Sequence, residues 1–401
     1  MSLTLMIRSQ RLITSSFRSK HKLKYQSPIT LLSSQPWRTT GSLTMNSLDT
    51  VVAKLKKFAP LSLAGSWDNV GLLVEPSPPK YISKMMLTND LTTAVVEEAK
   101  EKTVDLILSY HPPIFKPLKR LTQSSWKERV LIECAESRIA VFSPHTSYDA
   151  VEGGVNDWLL SAFDLKKGSV RPLEVSQTKD CRSHLFEVDV AADRLKEMRD
   201  EILVSCLPAD SPLTAQKTAF STVVLRSTGS EQLRLQVACN SSELNAIITA
   251  LTLCKAPETY RVTPLSQIPR PAAGAGRVAE LAEPLSLELL VSRVKTFLGL
   301  KHVAVAKAVG EEDPEVSSVA VCAGSGGSVL GGVPADLLLT GEMSHHEVLD
   351  AVHRGSSVIL CHHSNTERGF LVPLRDKLSG LLGSSVDIFI SETDRDPLET
   401  V

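Results

Sequence analysis

The chain is 401 residues long, more than one ordinary core of roughly 150 residues, so about two or three domains are expected. Its composition, 42% hydrophobic and 22% charged, is that of a soluble globular protein. The formal net charge of −1 supplies no basic field, so no direct nucleic-acid binding is expected. No apolar stretch reaches the roughly 18 to 20 residues needed to cross a bilayer, which excludes a membrane-spanning chain. The 7 cysteines are odd in number and scattered, with no C-x-x-C pair. That argues against a disulfide framework or a zinc-thiolate cluster and for a reducing compartment.

Residues 1–46 differ from everything after them. They carry Arg8, Arg11, Arg18, Lys20, Lys22, Lys24 and Arg38 among many Ser and Thr, and the first acidic residue is Asp49. Such an acid-free basic leader reads either as a mitochondrial transit peptide or as a disordered extension with no address. Initiation at Met45 would remove it and leave a cytoplasmic and nuclear protein. Folded structure is expected from Ser47, which can cap a helix whose apolar positions are Val51, Val52, Leu55, Phe58 and Leu61.

A polar turn over 65–71 leads into the apolar residues 72–74. Strands are expected at 85–88, 104–108 and 139–142, with helices at 92–102 and 124–137 between them. This alternation predicts an α/β layer with largely parallel pairing over a first half, 47–179. The rhythm then changes. Strands at 184–190, 221–226, 234–238 and 259–263 and helices at 191–204 and 242–253 spell β-α-β-β-α-β, the ferredoxin-like split motif. Residues 180–266 therefore read as an inserted module, and the Pro, Ala and Gly of 264–276 as its return linker. A second α/β half, 267–401, follows with helices at 285–298, 344–354 and 369–382. Its strands are expected near 302–306, 316–322, 337–339, 357–360 and 387–390. The predicted fold is a two-part α/β core with mixed sheets, split by the ferredoxin-like insert.

Chemistry concentrates at the ends of the predicted strands. His145-Thr-Ser-Tyr-Asp149 and His363-Ser-Asn-Thr-Glu367 each place a carboxylate four residues after a histidine. Each follows an apolar run, and His111 follows a third. Imidazole and carboxylate at this spacing suit a divalent metal of the zinc, manganese or iron class. Strand ends at one sheet edge are where α/β proteins build sites. Of 10 histidines, five (345, 346, 353, 362 and 363) fall within one short span. Asp68 and Asn69 can either orient ligands through hydrogen bonds or simply form a turn. Glu342, in Thr340-Gly341-Glu342, is a candidate acid or base. Gly324-Ser-Gly-Gly-Ser328 lacks the Lys of a P-loop and reads as a tight strand-to-helix turn. Trp67 and Trp158 read as core or rim packing.

Five motifs in order resemble the NGG-one-interacting factor three-like family, also called the type two GTP cyclohydrolase I family, in a vertebrate-type member. They are Trp67-Asp68-Asn69-Val70-Gly71, Ser109-Tyr110-His111-Pro112, His145 to Asp149 with Gly153-Gly-Val-Asn-Asp-Trp158, Thr340 to His346, and His363 to Arg368. The resemblance runs from about residue 47 to the C-terminus. It implies a core holding one or two divalent metal ions, homo-oligomers, and a variable module between the halves. By position it implies His111, Asp149, His363 and Glu367 as metal ligands, with His145 and His346 lining the centre. Tyr110 stands where the family commonly has the first histidine of a pair. A phenol of ordinary pKa near 10 is a poor ligand unless a metal deprotonates it, so one of two metal sites is expected to be weakened or empty.

Three functions follow from these residues. The first is a metal-dependent hydrolase acting on a small phosphorylated or nucleotide-like substrate. The second, suggested by the family's name, is a regulatory protein acting through protein partners, such as a transcriptional co-regulator. The third is metal handling or sensing. No nucleotide-reading motif supports GTP as substrate.

Overall fold

The computed structural model describes residues 46–177, 182–205, 222–226, 232–253, 260–266, 269–310 and 312–400. The leader expected over 1–46 lies outside them except for its last residue.

Ser47 caps the first helix, α1 (Leu48–Phe58), by accepting the Thr50 N–H at 3.2 Å. The helix buries Leu48, Val51, Val52 and Leu55, the stripe its apolar spacing predicts. Around it, β1 (Asn46–Ser47) pairs with β3 (Tyr81–Ile82), and β2 (Gly71–Val74) precedes the α/β run. That run is β4 (Lys84–Thr88), α2 (Thr93–Glu101), β5 (Leu106–Ser109), α3 (Trp126–Glu136) and β6 (Ala140–Ser143). The short helices α4 (Thr146–Ala150) and α5 (Val155–Leu160) then close the first half. Strands β4, β5 and β6 are parallel, and β2 adds antiparallel to β6.

After β7 (Glu174–Gln177) comes the module of β8 (His184–Ala191), α6 (Leu195–Ser205), β9 (Thr222–Arg226), β10 (Gln232–Cys239), α7 (Ser241–Leu253) and β11 (Tyr260–Pro264). Its sheet runs β11-β8-β10-β9, all antiparallel, the order of the ferredoxin-like split motif. Phe186, Val188 and Val190 alternate along β8 onto a core shared with Leu235, Val237, Met198 and Ile247.

The segment expected as a plain return linker is a strand, β12 (Pro269–Ala275), paired antiparallel with β7. Neither strand carries an apolar alternation, so periodicity alone could not reveal the ribbon. Gly274 permits it: at φ +157° its backbone lies so close to Glu174 that a Cβ would fall 1.9 Å from the Glu174 carbonyl oxygen.

The second half comprises β13 (Arg277–Ser286), α8 (Leu287–Leu298), β14 (Ala304–Ala306), β15 (Glu315–Ser325), α9 (Gly327–Leu330), β16 (Leu337–Glu342), α10 (His345–His353), β17 (Ser357–Leu360) and α11 (Leu371–Leu382). Its sheet runs β13-β15-β16-β17-β14, with β15, β16 and β17 parallel. The final strand, β18 (Asp387–Ile390), crosses back and pairs parallel with β4 in the first half's sheet.

The strands bury both faces, as parallel sheets must. Met85, Leu87, Leu106 and Leu108 of the first sheet and Val319, Val321, Leu337, Leu339 and Ile359 of the second join α1, α8 and α11 in one core. The alternate residues, Met86 and Ile107, pack outward with α2 and α3, while Ala320, Leu338 and Val358 pack outward with α10. A common core fixes the two sheets against each other, so that loops from one half reach loops from the other.

Candidate metal centre

Loops after β4, β5 and β6 in the first half and the ends of β15 and β17 with the loops after them in the second meet along one cleft of about 1160 Å³. The β4–β5 pairing continues past the strand ends: the Tyr110 N–H bonds the Thr88 carbonyl at 2.9 Å and the His111 N–H bonds the Asn89 carbonyl at 3.0 Å. That extension delivers Tyr110 inward and His111 to the cleft. His145 follows β6 at φ +37°, an unfavourable conformation for a residue with a side chain. His362, beside His363, has φ +65°. Backbone strain thus accompanies both histidine segments.

Each of the three cleft histidines gives one ring nitrogen to a carboxylate. His145 Nδ1 lies 2.7 Å from Asp68 Oδ1, His111 Nδ1 lies 2.9 Å from Asp90 Oδ1, and His363 Nδ1 lies 3.0 Å from Glu342 Oε2. A carboxylate on Nδ1 fixes the ring and leaves Nε2 as the lone-pair donor, the arrangement that surrounds metal-bound histidines. Two of the Nε2 atoms face opposite oxygens of one buried carboxylate: His111 Nε2 is 3.2 Å from Glu367 Oε2, and His363 Nε2 is 3.4 Å from Glu367 Oε1. Donor atoms of His111, His363 and Glu367 all lie within 4.8 Å of one another. The His111 and His363 ring centroids are 5.3 Å apart, and His111 and His145 are 5.5 Å apart.

Two observations test whether these residues fit an ion. His111 Nε2 is buried with no aligned hydrogen-bond partner, and such an atom is costly unless something binds it. Gly324, at φ +68°, leaves room beside the donors; a Cβ there would lie 2.6 Å from Glu367 Oε1 and 3.0 Å from His363 Nε2. Two imidazoles and a carboxylate gathered around such a space suit a divalent ion of the zinc, manganese or iron class.

The other side of the centre is built differently. Tyr110 is buried, and its hydroxyl donates to Asp149 Oδ1. Burial, together with the charges of Asp149 and Glu367, holds the phenol well above its usual pKa, so Tyr110 remains a donor. Burial also raises Asp149 to about 6, against the lowering effect of the Tyr110 hydrogen bond. Asn156 spans the two halves here: its Nδ2 donates to the Asp149 carbonyl at 3.0 Å, and its Oδ1 accepts the Ala323 N–H at 2.8 Å. On the histidine side the balance reverses. Burial disfavours charge on His111, but the Asp90 hydrogen bond and nearby Glu367 outweigh it and raise the imidazole to about 10.

The structure thus brings His111, His145, Asp149, His363 and Glu367 to one cleft, with Tyr110 bonded to Asp149, Asp68 behind His145 and Glu342 beside His363. His346 stands apart: it is exposed on α10, edge-on to His345, and does not line the cleft. His353 is exposed at the end of that helix and bonds the Leu349 carbonyl. Sequence reasoning missed Asp90, although it too follows a predicted strand end. It also missed Asn89, whose Nδ2 donates to Glu367 Oε2 at 3.2 Å, and Arg368, which reaches Asp90 and Asp394. Of the two tryptophans, Trp158 packs on Phe297 and Phe370 in the core, whereas Trp67 is 65% exposed at the cleft.

Residues 46–397 match the family model described as Duf34/NIF3 (NGG1p interacting factor 3). A Bos taurus NIF3-like protein 1 is 43% identical over 399 residues, covering 98% of each chain. The Saccharomyces cerevisiae NGG1-interacting factor 3 is 31% identical over 372 residues, covering 89% of this chain and 98% of its own. Among solved structures, a Bacillus cereus protein related to NIF3 superposes with a TM-score of 0.59 at 25% identity, covering 89% of this chain and 100% of its own.

Proposed function

Because the chain belongs to the Duf34/NIF3 family, we propose that it binds a divalent metal ion and uses it to hydrolyse a small phosphorylated or nucleotide-like substrate. The observation that carries this reading is the pair of carboxylate-backed imidazoles, His111 and His363, turned toward one buried glutamate. His111, His363 and Glu367 would hold the ion, with Asp149 and His145 beside them. A divalent ion there supplies Lewis acidity and brings the pKa of water down toward neutrality.

The protein's own groups do the rest. Asp90 and Glu342 hold the imidazoles with Nε2 inward. Asp149, hydrogen-bonded to Tyr110 in the same cleft, is the carboxyl placed to take up and return a proton. Tyr110 keeps one of its oxygens occupied, which directs exchange to the other. Turnover of phosphomonoester or nucleotide substrates should require added metal and vanish in His363→Ala and in Glu367→Ala; full activity in both variants would overturn the assignment.

A second reading has its own support in the printed name of the yeast relative, NGG1-interacting factor 3. A role as a regulatory protein acting through protein partners predicts that partner capture survives chelation of the metal. Loss of capture on chelation would tie any such role to the centre itself.

A further inference from the structure

Trp67 and Phe115 form an aromatic wall at the cleft that the chemistry above leaves unused. Trp67 is 65% exposed and Phe115 44% exposed, yet the two rings touch edge to face at 6.0 Å. His145 meets both rings, at 6.1 Å and 6.2 Å. Single exposed apolar residues are commonplace, but this pair is held in place. The indole lies so close over Gly65 that a Cβ there would come within 2.9 Å of its ring atoms. Asn69 donates to the Ile114 carbonyl, next to Phe115. Between them, Asp68 secures His145 and accepts the Thr146 N–H at 3.2 Å. Three consecutive residues thus set the wall, the histidine and the neighbouring loop in a fixed relation.

Charge in the cleft narrows the occupant further. Asp90, Asp149, Glu174 and Glu367 line it, while Lys127 is the only Lys or Arg among its described lining residues. With the ion held at His111, His363 and Glu367, Lys127 is the one lysine or arginine of the described lining left to meet an anionic group, too little for a long polyanion.

We propose that Trp67 and Phe115 are the specificity wall for a planar heteroaromatic ring, and that Lys127 receives a single anionic group on the same ligand. This deepens the hydrolase reading and rests on it for the identity of the cleft as a substrate site. A nucleoside monophosphate has the required chemistry. Aromatic stacking of a base, worth about 1–3 kcal/mol, converts to about five-fold to about 150-fold in affinity.

The test uses the full chain loaded with manganese and titrated calorimetrically with the four nucleoside 5′-monophosphates, their nucleosides, and ribose 5-phosphate as the ringless control. At least one monophosphate should bind about ten-fold more tightly than ribose 5-phosphate. Trp67→Ala should abolish that preference with bound metal unchanged, and Trp67→Phe should keep most of it. Lys127→Gln should weaken the monophosphate and leave its nucleoside unaffected. The proposal is overturned if no monophosphate exceeds ribose 5-phosphate, if Trp67→Ala keeps the preference, if it loses the metal, or if Lys127→Gln changes nothing. Ring preference without turnover would instead refute the hydrolase reading and leave the wall standing.

Discussion

The two sides of the centre share Glu367 and differ in almost everything else. One side presents His111 and His363, each backed by a carboxylate and facing an oxygen of Glu367. The other presents Tyr110 hydrogen-bonded to Asp149. The first gathers two imidazoles around one carboxylate; the second has already satisfied itself through its own hydrogen bond. One buried pocket can therefore hold a metal-ready half and a half closed by the Tyr110–Asp149 hydrogen bond.

Each half also has its own support. Behind Asp149, the buried Arg277 pairs with Asp157 (Nε to Oδ1, 2.7 Å) and donates to the carbonyls of Ala150, Val151, Gly274 and Gly276. Behind His111, the chain's last segment is tied in. Asp394 accepts from the Asn89 N–H at 2.7 Å and from Arg368 at 3.1 Å, and Ser364 donates to Asp396. Glu98 anchors this segment by accepting from Ser391 and from Thr393.

Breaking the supports separately tests whether the halves are independent, and the largest effect is expected at Arg277. Arg277→Ala strands Asp157 and several carbonyls, and should cost about 3–5 kcal/mol in denaturant unfolding. A loss below about 1 kcal/mol would mean the clamp is not structural. On the histidine side, acid should release the tail. Burial opposes the Glu98 charge, but hydrogen bonds from Lys102, Ser391, Glu392 and Thr393 outweigh it and lower the pKa from 4.5 to about 2. The contribution, about 3 kcal/mol, is present above the ordinary carboxylate pKa and is lost as pH falls from about 4.5 through about 2. Glu98→Gln should flatten the acid limb of stability over that range; an unchanged limb would remove Glu98 from the account.

Smaller effects should distinguish the sides of the centre directly. Asp90→Asn should weaken metal binding about 10–100-fold by freeing the His111 ring, measured by competition with a chelating dye, with folding stability little changed. An unaltered affinity would show that Asp90 does not set the ring. Since His111 holds a proton up to about pH 10 in the metal-free site, metal uptake at neutral pH should release about one proton from it. Calorimetry in buffers of different ionisation enthalpy reads this release, and a buffer-independent heat would contradict it.

Much of the framework was legible in the sequence because burial leaves a period. The apolar runs ending at Leu108, Phe142 and Leu360 mark strands whose C-terminal edges carry the chemistry, and the split βαββαβ order of the insert could be read from spacing alone. The β7–β12 ribbon and the return of β18 to the first sheet could not, because pairing partners distant in sequence leave no local signal. At the site, histidines stand out by type, while the residues that orient them do not. Asp90 and Asn89 look like any polar turn after a strand, and Arg277 looks like a surface charge until its partners are assembled around it. His346 shows the converse: a neighbour of the centre by motif, it lies exposed on α10 and outside the cleft lining.

The central claim is that the centre is asymmetric because Tyr110 satisfies Asp149. Elemental analysis of the purified protein, started at Met45 and equilibrated with zinc or manganese, tests it most directly when wild type is compared with Tyr110→His. The account predicts about one tightly held ion per chain in wild type and a gain toward about two in the variant. Equal stoichiometric metal in both proteins would contradict it.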